Sequence, residues 1–196
     1  MKEQNLREVK VGTEDIFSGV ILDVKRDTVE LPNGHRTIRE LIRHVGAVCV
    51  VPVMDDGRVV VERQYRYPLD RVITEIPAGK LDSREEDRLS AAQRELREET
   101  GITADRWTDM GLYYGTPAYS DEKITMYLAQ GLHMGEQHLD DDEFLNVQTV
   151  PITELVEEIL SGTVIDGKTQ VAVLKAFMLL KKQSASHGAG ARNGSL

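Results

Sequence analysis

A chain of 196 residues, 40% of them hydrophobic, is long enough to bury one sizeable core. Its formal net charge of -9 and pI near 5.1 exclude bulk electrostatic binding to nucleic acid or to an anionic membrane. A single cysteine, Cys49, rules out an intramolecular disulfide, and the lack of a signal peptide or an apolar run of transmembrane length leads us to expect a cytoplasmic chain.

In chain order, residues 1–14 are polar and are expected to be mobile or loosely docked. From Ile16 the pattern turns β-like, through Gly19 to Val24 and Thr28 to Leu31. Pro32-Asn33-Gly34-His35 reads as a turn, Asn-Gly being the strongest short hairpin signal, and Thr37 to Arg43 alternates back out. Residues 1–44 therefore form a small antiparallel segment that cannot bury much alone. The main domain begins at Val45, where the run to Val53 is apolar enough for a strand buried on both faces, with Cys49 inside it as an inert thiol. Asp55-Asp56-Gly57 turns that strand into a second arm, Arg58 to Arg63. In the following run Tyr65 reads as packing and Arg63 and Arg66 as solvated, unless an anion is near.

The stretch from Gly79 to Ile102 is unusual. A helix entered near Asp87 and closed by Gly101 puts Leu89, Ala92 and Leu96 on one inward stripe. Glu95, Glu98 and Glu99 then stand at i, i+3 and i+4, and each like-charge pair costs about 0.2–0.5 kcal/mol. They also crowd the C-terminal turn, where the macrodipole disfavours negative charge. One reading is a solvated face softened by Arg94 and Arg97. The other is a hard-cation site, in which Mg²⁺ or Mn²⁺ turns the repulsion into binding. Spacing alone does not choose.

Beyond the helix, Met110 to Tyr114 reads as a strand, Gly115 to Glu122 as a loop carrying Pro117, and Ile124 to Gln130 as a further strand. Residues 131–142 are polar, and His133, His138 and Asp140 to Asp142 read either as a solvated loop or as a metal set without tight ligand spacing. Phe144 to Val150 is a strand. Pro151 to Leu160 is an amphipathic helix with Thr153 near its start, ended by Ser161-Gly162. Lys168 to Lys182 is a core helix with Val171, Leu174, Phe177 and Met178 at helical spacing, and residues 184–196 have the composition of a disordered tail.

The run Arg94-Glu95-Leu96-Arg97-Glu98-Glu99-Thr100-Gly101-Ile102 resembles the closing half of the Nudix box without a mismatch, with Gly79 opening it and Glu86 in front of the helix. Six residues separate Gly79 from Glu86 where the family pattern has five, so the loop Asp82-Ser83-Arg84-Glu85 holds a one-residue insertion. The resemblance implies an α+β, α/β/α sandwich, the Nudix fold: a mixed β-sheet between helices over residues 45–183, with residues 1–44 as a β segment that packs across a partner subunit in a homodimer. It implies metal ligation by Glu95, Glu98, Glu99 and the Ala78 carbonyl, with Mg²⁺ as the ion and Mn²⁺ possible. Arg94 would fix the glutamates. Arg63, Tyr65, Arg66 and Glu75 would lie on the substrate side, and Glu143, with Asp141 and Asp142 as competitors, would activate water. Pro117, sixteen residues after Gly101, resembles the marker of the ADP-ribose pyrophosphatase subgroup. The implied activity is hydrolysis of the pyrophosphate of a nucleotide sugar, ADP-ribose giving AMP and ribose 5-phosphate. GDP-mannose or another nucleotide sugar is the alternative substrate, and a non-catalytic nucleotide-sensing module the alternative of another class.

Overall fold

A computed structural model describes residues 5–139 and 144–190. The chain divides into two units, residues 1–46 with 114–123, and residues 47–113 with 124–196. The expected boundary after residue 44 is therefore not a single cut, because a later loop belongs with the N-terminal strands.

In the first unit β1 (Val9–Ser18), β2 (Asp23–Glu30) and β3 (Arg36–Arg43) form an antiparallel sheet in that order. Residues 9–14, expected to be loosely docked, are strand. Every residue of β1 is exposed, so no burial pattern could announce it. Backbone pairing with β2 and ion pairs such as Lys25 to Asp15 at 2.7 Å hold it instead. The loop bearing Pro117 folds onto the end of β3, where the Ile42 N–H donates to the Tyr119 carbonyl at 2.8 Å. Asp121 there accepts the His44 N–H at 2.7 Å and an Arg43 N–H at 3.1 Å.

The second unit contains β4 (Ala47–Val53), β5 (Arg58–Arg66), a 3-10 turn (Tyr67–Leu69), β6 (Arg71–Glu75), β7 (Ala78–Lys80), α1 (Arg88–Thr100), β8 (Thr103–Tyr113), β9 (Ile124–His133), β10 (Leu145–Pro151), α2 (Ile152–Leu160) and α3 (Gly167–Gly190). Its seven strands form one mixed sheet in the order β10-β5-β4-β9-β8, with β4 and β9 parallel. Successive side chains of β4 alternate between faces. Cys49, Val51 and Val53 join Met126, Leu128, Leu155, Ile159, Val173 and Ala176 in a core under α2 and α3. Val48 and Val50, equally buried, face the side on which α1 packs. Burial pushes the Cys49 thiol up to about 12, as expected of an inert cysteine.

The expected hairpin from Val45 to Arg63 closes at only one register pair, Val53 with Val59. Below it β4 and β5 diverge, and two strands not evident in the sequence fill the gap: β6 on β5 and β7 on β4. The link between them, Ile76-Pro77, crosses the split, with the Pro77 carbonyl accepting the Val50 N–H at 2.9 Å. Strand β8 starts seven residues before Met110, because its leading half is a mostly exposed edge. Helix α3 continues to Gly190, past the expected start of the tail at Ser184, and residues 191–196 lie outside the described residues. Ala185 and Ala189 favour helix in a stretch whose Gly and Ser content suggested none. Among the described residues no helix is long and apolar enough to cross a membrane.

Candidate active site

Helix α1 begins at Asp87, whose carboxylate accepts the Ser90 N–H and O–H, both at 2.8 Å, and is held below the usual carboxylate range by those bonds. It ends at Gly101, left-handed at φ 72°, with its N–H on the Arg97 carbonyl. Ala91, Ala92 and Leu96 are fully buried, which anchors the helix by one face. The carbonyls of the last turn need donors. A loop supplies them: the His138 N–H reaches the Glu98 carbonyl at 2.9 Å, and the Gln137 side-chain amide reaches that of Glu99.

The acidic face of α1 lies over β7. A Cβ on Gly79 would fall 1.9 Å from the Glu95 carboxyl carbon, so the Glu95 side chain rests directly on the glycine backbone. Glu99, only 5% exposed, accepts the Ala78 N–H at 2.9 Å. The Glu98 side chain remains 38% exposed. Arg94 lies among the acids, with Nη1 at 2.8 Å from Glu95 and 3.2 Å from Glu98, and Nη2 at 3.3 Å from Glu86. Burial works against the guanidinium's charge, but these carboxylates outweigh it and raise the group above its ordinary range. Glu86 reaches Arg94 despite the inserted residue, and its second oxygen accepts the Asp82 N–H at 2.7 Å.

Behind this helix sits a buried charged group. Glu75, 3% exposed, takes Arg66 through two bonds, Nε to Oε1 at 2.5 Å and Nη2 to Oε2 at 2.9 Å, and also takes the Lys168 ammonium. Burial pushes the Glu75 carboxyl up, yet the Arg66 hydrogen bonds and the Lys168 charge hold it below the usual range. Lys168 and Asp166 pair at 3.0 Å. Glu62, opposite Glu75 on β5, is buried too. Of these residues, Glu62, Lys168 and Asp166 escape sequence reasoning, as does Thr169, because nothing in the spacing brings the start of α3 to β6. The one available signal was Asp166 followed three residues later by Thr169, a helix-start pattern.

The remaining expected residues are dispersed. Arg63 and Tyr65 alternate to the face opposite Arg66; Arg63 lines a cleft of about 290 Å³ with Arg71, Thr74 and Gln148, and the Tyr65 hydroxyl donates to Asp70 at 2.6 Å. Pro117 is exposed in the first unit. His133 pairs with Asp105 at 2.8 Å, and His138 is engaged through its backbone. Glu143, Asp140, Asp141 and Asp142 lie outside the described residues.

Residues 43–169 match the NUDIX domain. The chain belongs to the Nudix family. Residues 8–42 match the nucleoside diphosphate sugar hydrolase N-terminal domain. The Nudix chain is 41% identical to an ADP-ribose pyrophosphatase of Bacillus subtilis, over 87% of its own length and 92% of that protein's. It is 40% identical to a methanol dehydrogenase activator of Bacillus methanolicus, over 85% and 90% respectively. A crystal structure of an ADP compounds hydrolase shares the fold, with a TM-score of 0.82 at 24% identity, covering 92% of this chain and 98% of the other.

Nudix enzymes generally use divalent metal ions. Among the described residues no three His, Cys, Asp or Glu side chains are arranged to hold a metal ion. The side chains nonetheless suit a hard cation: Glu86, Glu95, Glu98 and Glu99 offer only oxygen donors, and the cradle at Gly79, which a Cβ would fill, gives the Glu95 carboxylate room against the β7 backbone. Arg94 lies within ion-pair distance of Glu86, Glu95 and Glu98 and so lowers the repulsion among them.

Proposed function

We propose that this Nudix hydrolase cleaves the pyrophosphate of a nucleoside diphosphate sugar, with ADP-ribose as the preferred substrate and AMP and ribose 5-phosphate as products. The observation that carries the reading is the glutamate face of α1 lying on the Ala78-Gly79 backbone. The ADP-ribose assignment draws on the 41% identity to the Bacillus subtilis enzyme and on the match of residues 8–42.

Mg²⁺, with Mn²⁺ as the alternative, is proposed to be held by Glu95, Glu98, Glu99 and the Ala78 carbonyl; bound there, it would neutralise the diphosphate and acidify a water molecule. Arg94 balances the acids and keeps Glu95 and Glu98 from splaying apart. Arg66, fixed through Nε and Nη2 by Glu75, retains Nη1 for a phosphate oxygen. Arg63 and Tyr65, which alternate to the other face of β5, are given no part at the Arg66 site, and Pro117 enters the proposal only as the subgroup marker. Glu143 is proposed to take the proton from the attacking water, with Asp141 and Asp142 as competitors. The chain on both sides of it is anchored, at His138 on the Glu98 carbonyl and at Leu145 paired with Gln64.

Turnover of ADP-ribose, GDP-mannose, ADP-glucose and diadenosine polyphosphates, with Mg²⁺ and with a chelator, tests the reading. We expect ADP-ribose to have the highest kcat/KM and the chelator to abolish it. Glu99→Gln should lower kcat about 100-fold; wild-type rates in that variant would remove the assigned ligand. The 40% identity to the methanol dehydrogenase activator supports a second reading, hydrolysis on behalf of another enzyme, which adding the chain to a methanol dehydrogenase assay would reveal.

The N-terminal sheet is proposed to mediate a homodimer. Val9, Val11, Ile16 and Phe17 of β1 and Ile21 in the turn that follows it are exposed, apolar surface that a partner copy would cover.

A further inference from the structure

The first turn of α3 is joined to the strand that enters the Nudix box, and nothing in the hydrolysis scheme above uses the joint. Asp166 caps the helix, accepting the Thr169 N–H at 2.9 Å and its hydroxyl at 2.6 Å. The Thr169 hydroxyl, fully buried, in turn accepts the Ile76 N–H at 3.0 Å. Lys168 holds Asp166 and reaches across to Glu75. Arg66 and Lys168 offset the charges of Glu75 and Asp166, while Glu62, buried opposite Glu75, adds a further carboxylate.

The consequence lies along the chain. From Glu75 to Ala78 each residue is tied down in turn: Glu75 by Arg66 and Lys168, Ile76 by Thr169, Pro77 by the Val50 N–H, and Ala78 by the Glu99 carboxylate. The last tie fixes one carboxylate oxygen of Glu99. Because Ile76 crosses the split between β4 and β5, no neighbouring strand pairs with its N–H, and the Thr169 hydroxyl takes that place.

We propose that Lys168 and Thr169 are positioning residues for Glu99: from the start of α3 they fix the Glu75 to Ala78 segment, whose Ala78 N–H orients the Glu99 carboxylate. The distance over which they act is spanned by covalent chain and hydrogen bonds, with no contact to substrate.

The inference rests on the pyrophosphatase reading for its kinetic readout, and a second readout, Mn²⁺ binding followed by electron paramagnetic resonance without substrate, is independent of it. In Thr169→Val the hydroxyl is lost at constant shape. We expect Mn²⁺ to bind about tenfold more weakly and kcat to fall about tenfold, with KM within about twofold of wild type. Thr169→Ser, which keeps the hydroxyl, should restore both. Lys168→Met should reproduce the Thr169→Val pattern through Glu75, and it carries the test alone if the valine variant does not fold. Wild-type Mn²⁺ affinity and kcat in either variant, a serine variant as impaired as the valine one, or a wild-type chain that binds no Mn²⁺ would overturn the proposal. A wild-type chain that binds Mn²⁺ but turns over none of the diphosphates would sink the substrate reading instead and leave the binding comparison to decide this one.

Discussion

At the scale of single residues, Gly79 and Gly101 matter for opposite reasons. The three atoms nearest a Cβ at Gly79 all lie at the end of the Glu95 side chain, which can swing away, so Gly79→Ala should melt within about 2 °C of wild type yet lose about 100-fold in kcat, a displacement of about 1 Å being enough for that. Calorimetry and ADP-ribose turnover read the two effects separately. A Cβ at Gly101 meets backbone, the Gly135 carbonyl at 2.5 Å, and the residue is left-handed as well. Gly101→Ala should therefore cost about 3 kcal/mol or more in urea unfolding, whereas Gly57→Ala, left-handed in open space, should cost only about 1–2 kcal/mol. The glutamates, Arg94 and both box glycines were legible in the sequence because they stand at fixed spacing within one motif. The bond from Thr169 to Ile76 was not, since a contact spanning 93 positions leaves no local pattern. The loop absorbs the residue inserted before Glu86, and the carboxylate still meets Arg94.

At the scale of elements, the start of α3 and the end of β6 are held by charges. Glu75 binds its proton less readily when folded than at its ordinary value of 4.5, so its contribution to stability is complete above that pH and is lost as the pH falls through the lower folded value. Glu75→Gln should destabilise the fold by about 3–5 kcal/mol at neutral pH, because Arg66 and the buried Lys168 both lose the carboxylate that they share. The gap between wild type and variant should narrow as the pH drops below 4.5, which urea unfolding at stepped pH will register. Helix α1 could be read from the sequence to its caps, since both termini carry strong local signals. Strands β6 and β7, five and three residues long, could not: each exists because β4 and β5 part and leave edges to be paired. Strand β1 was legible only from Ile16 onwards, for the same lack of a buried face that leaves it entirely exposed.

At the scale of the whole molecule, the exposed apolar residues of the N-terminal sheet favour association. Sedimentation of the intact chain should give twice its 22.0 kDa, and Phe17→Glu, at a side chain 55% exposed, should return it to one copy with a melting temperature that no longer rises with protein concentration. The two-unit division was half legible. The N-terminal segment ends about where its hydrophobic alternation stops, but the inclusion of residues 114–123 depends on the Asp121 carboxylate meeting His44 and Arg43, which only the folded chain reveals. The sheet's central seam joins residues 47–53 to residues 124–130 in parallel, so its middle strands are made far apart in time. On the ribosome, Val48, Val50 and Val51 wait for their β9 partners until more than seventy further amino acids have been added, and Ala172, Val173 and Ala176 arrive later still. A nascent chain halted before Ile124 has β7 and α1 for β4 but neither β9 nor α3, so one edge and one face of its most water-averse segment stay uncovered, and it is in that interval a client for whatever chaperone stands at the exit tunnel.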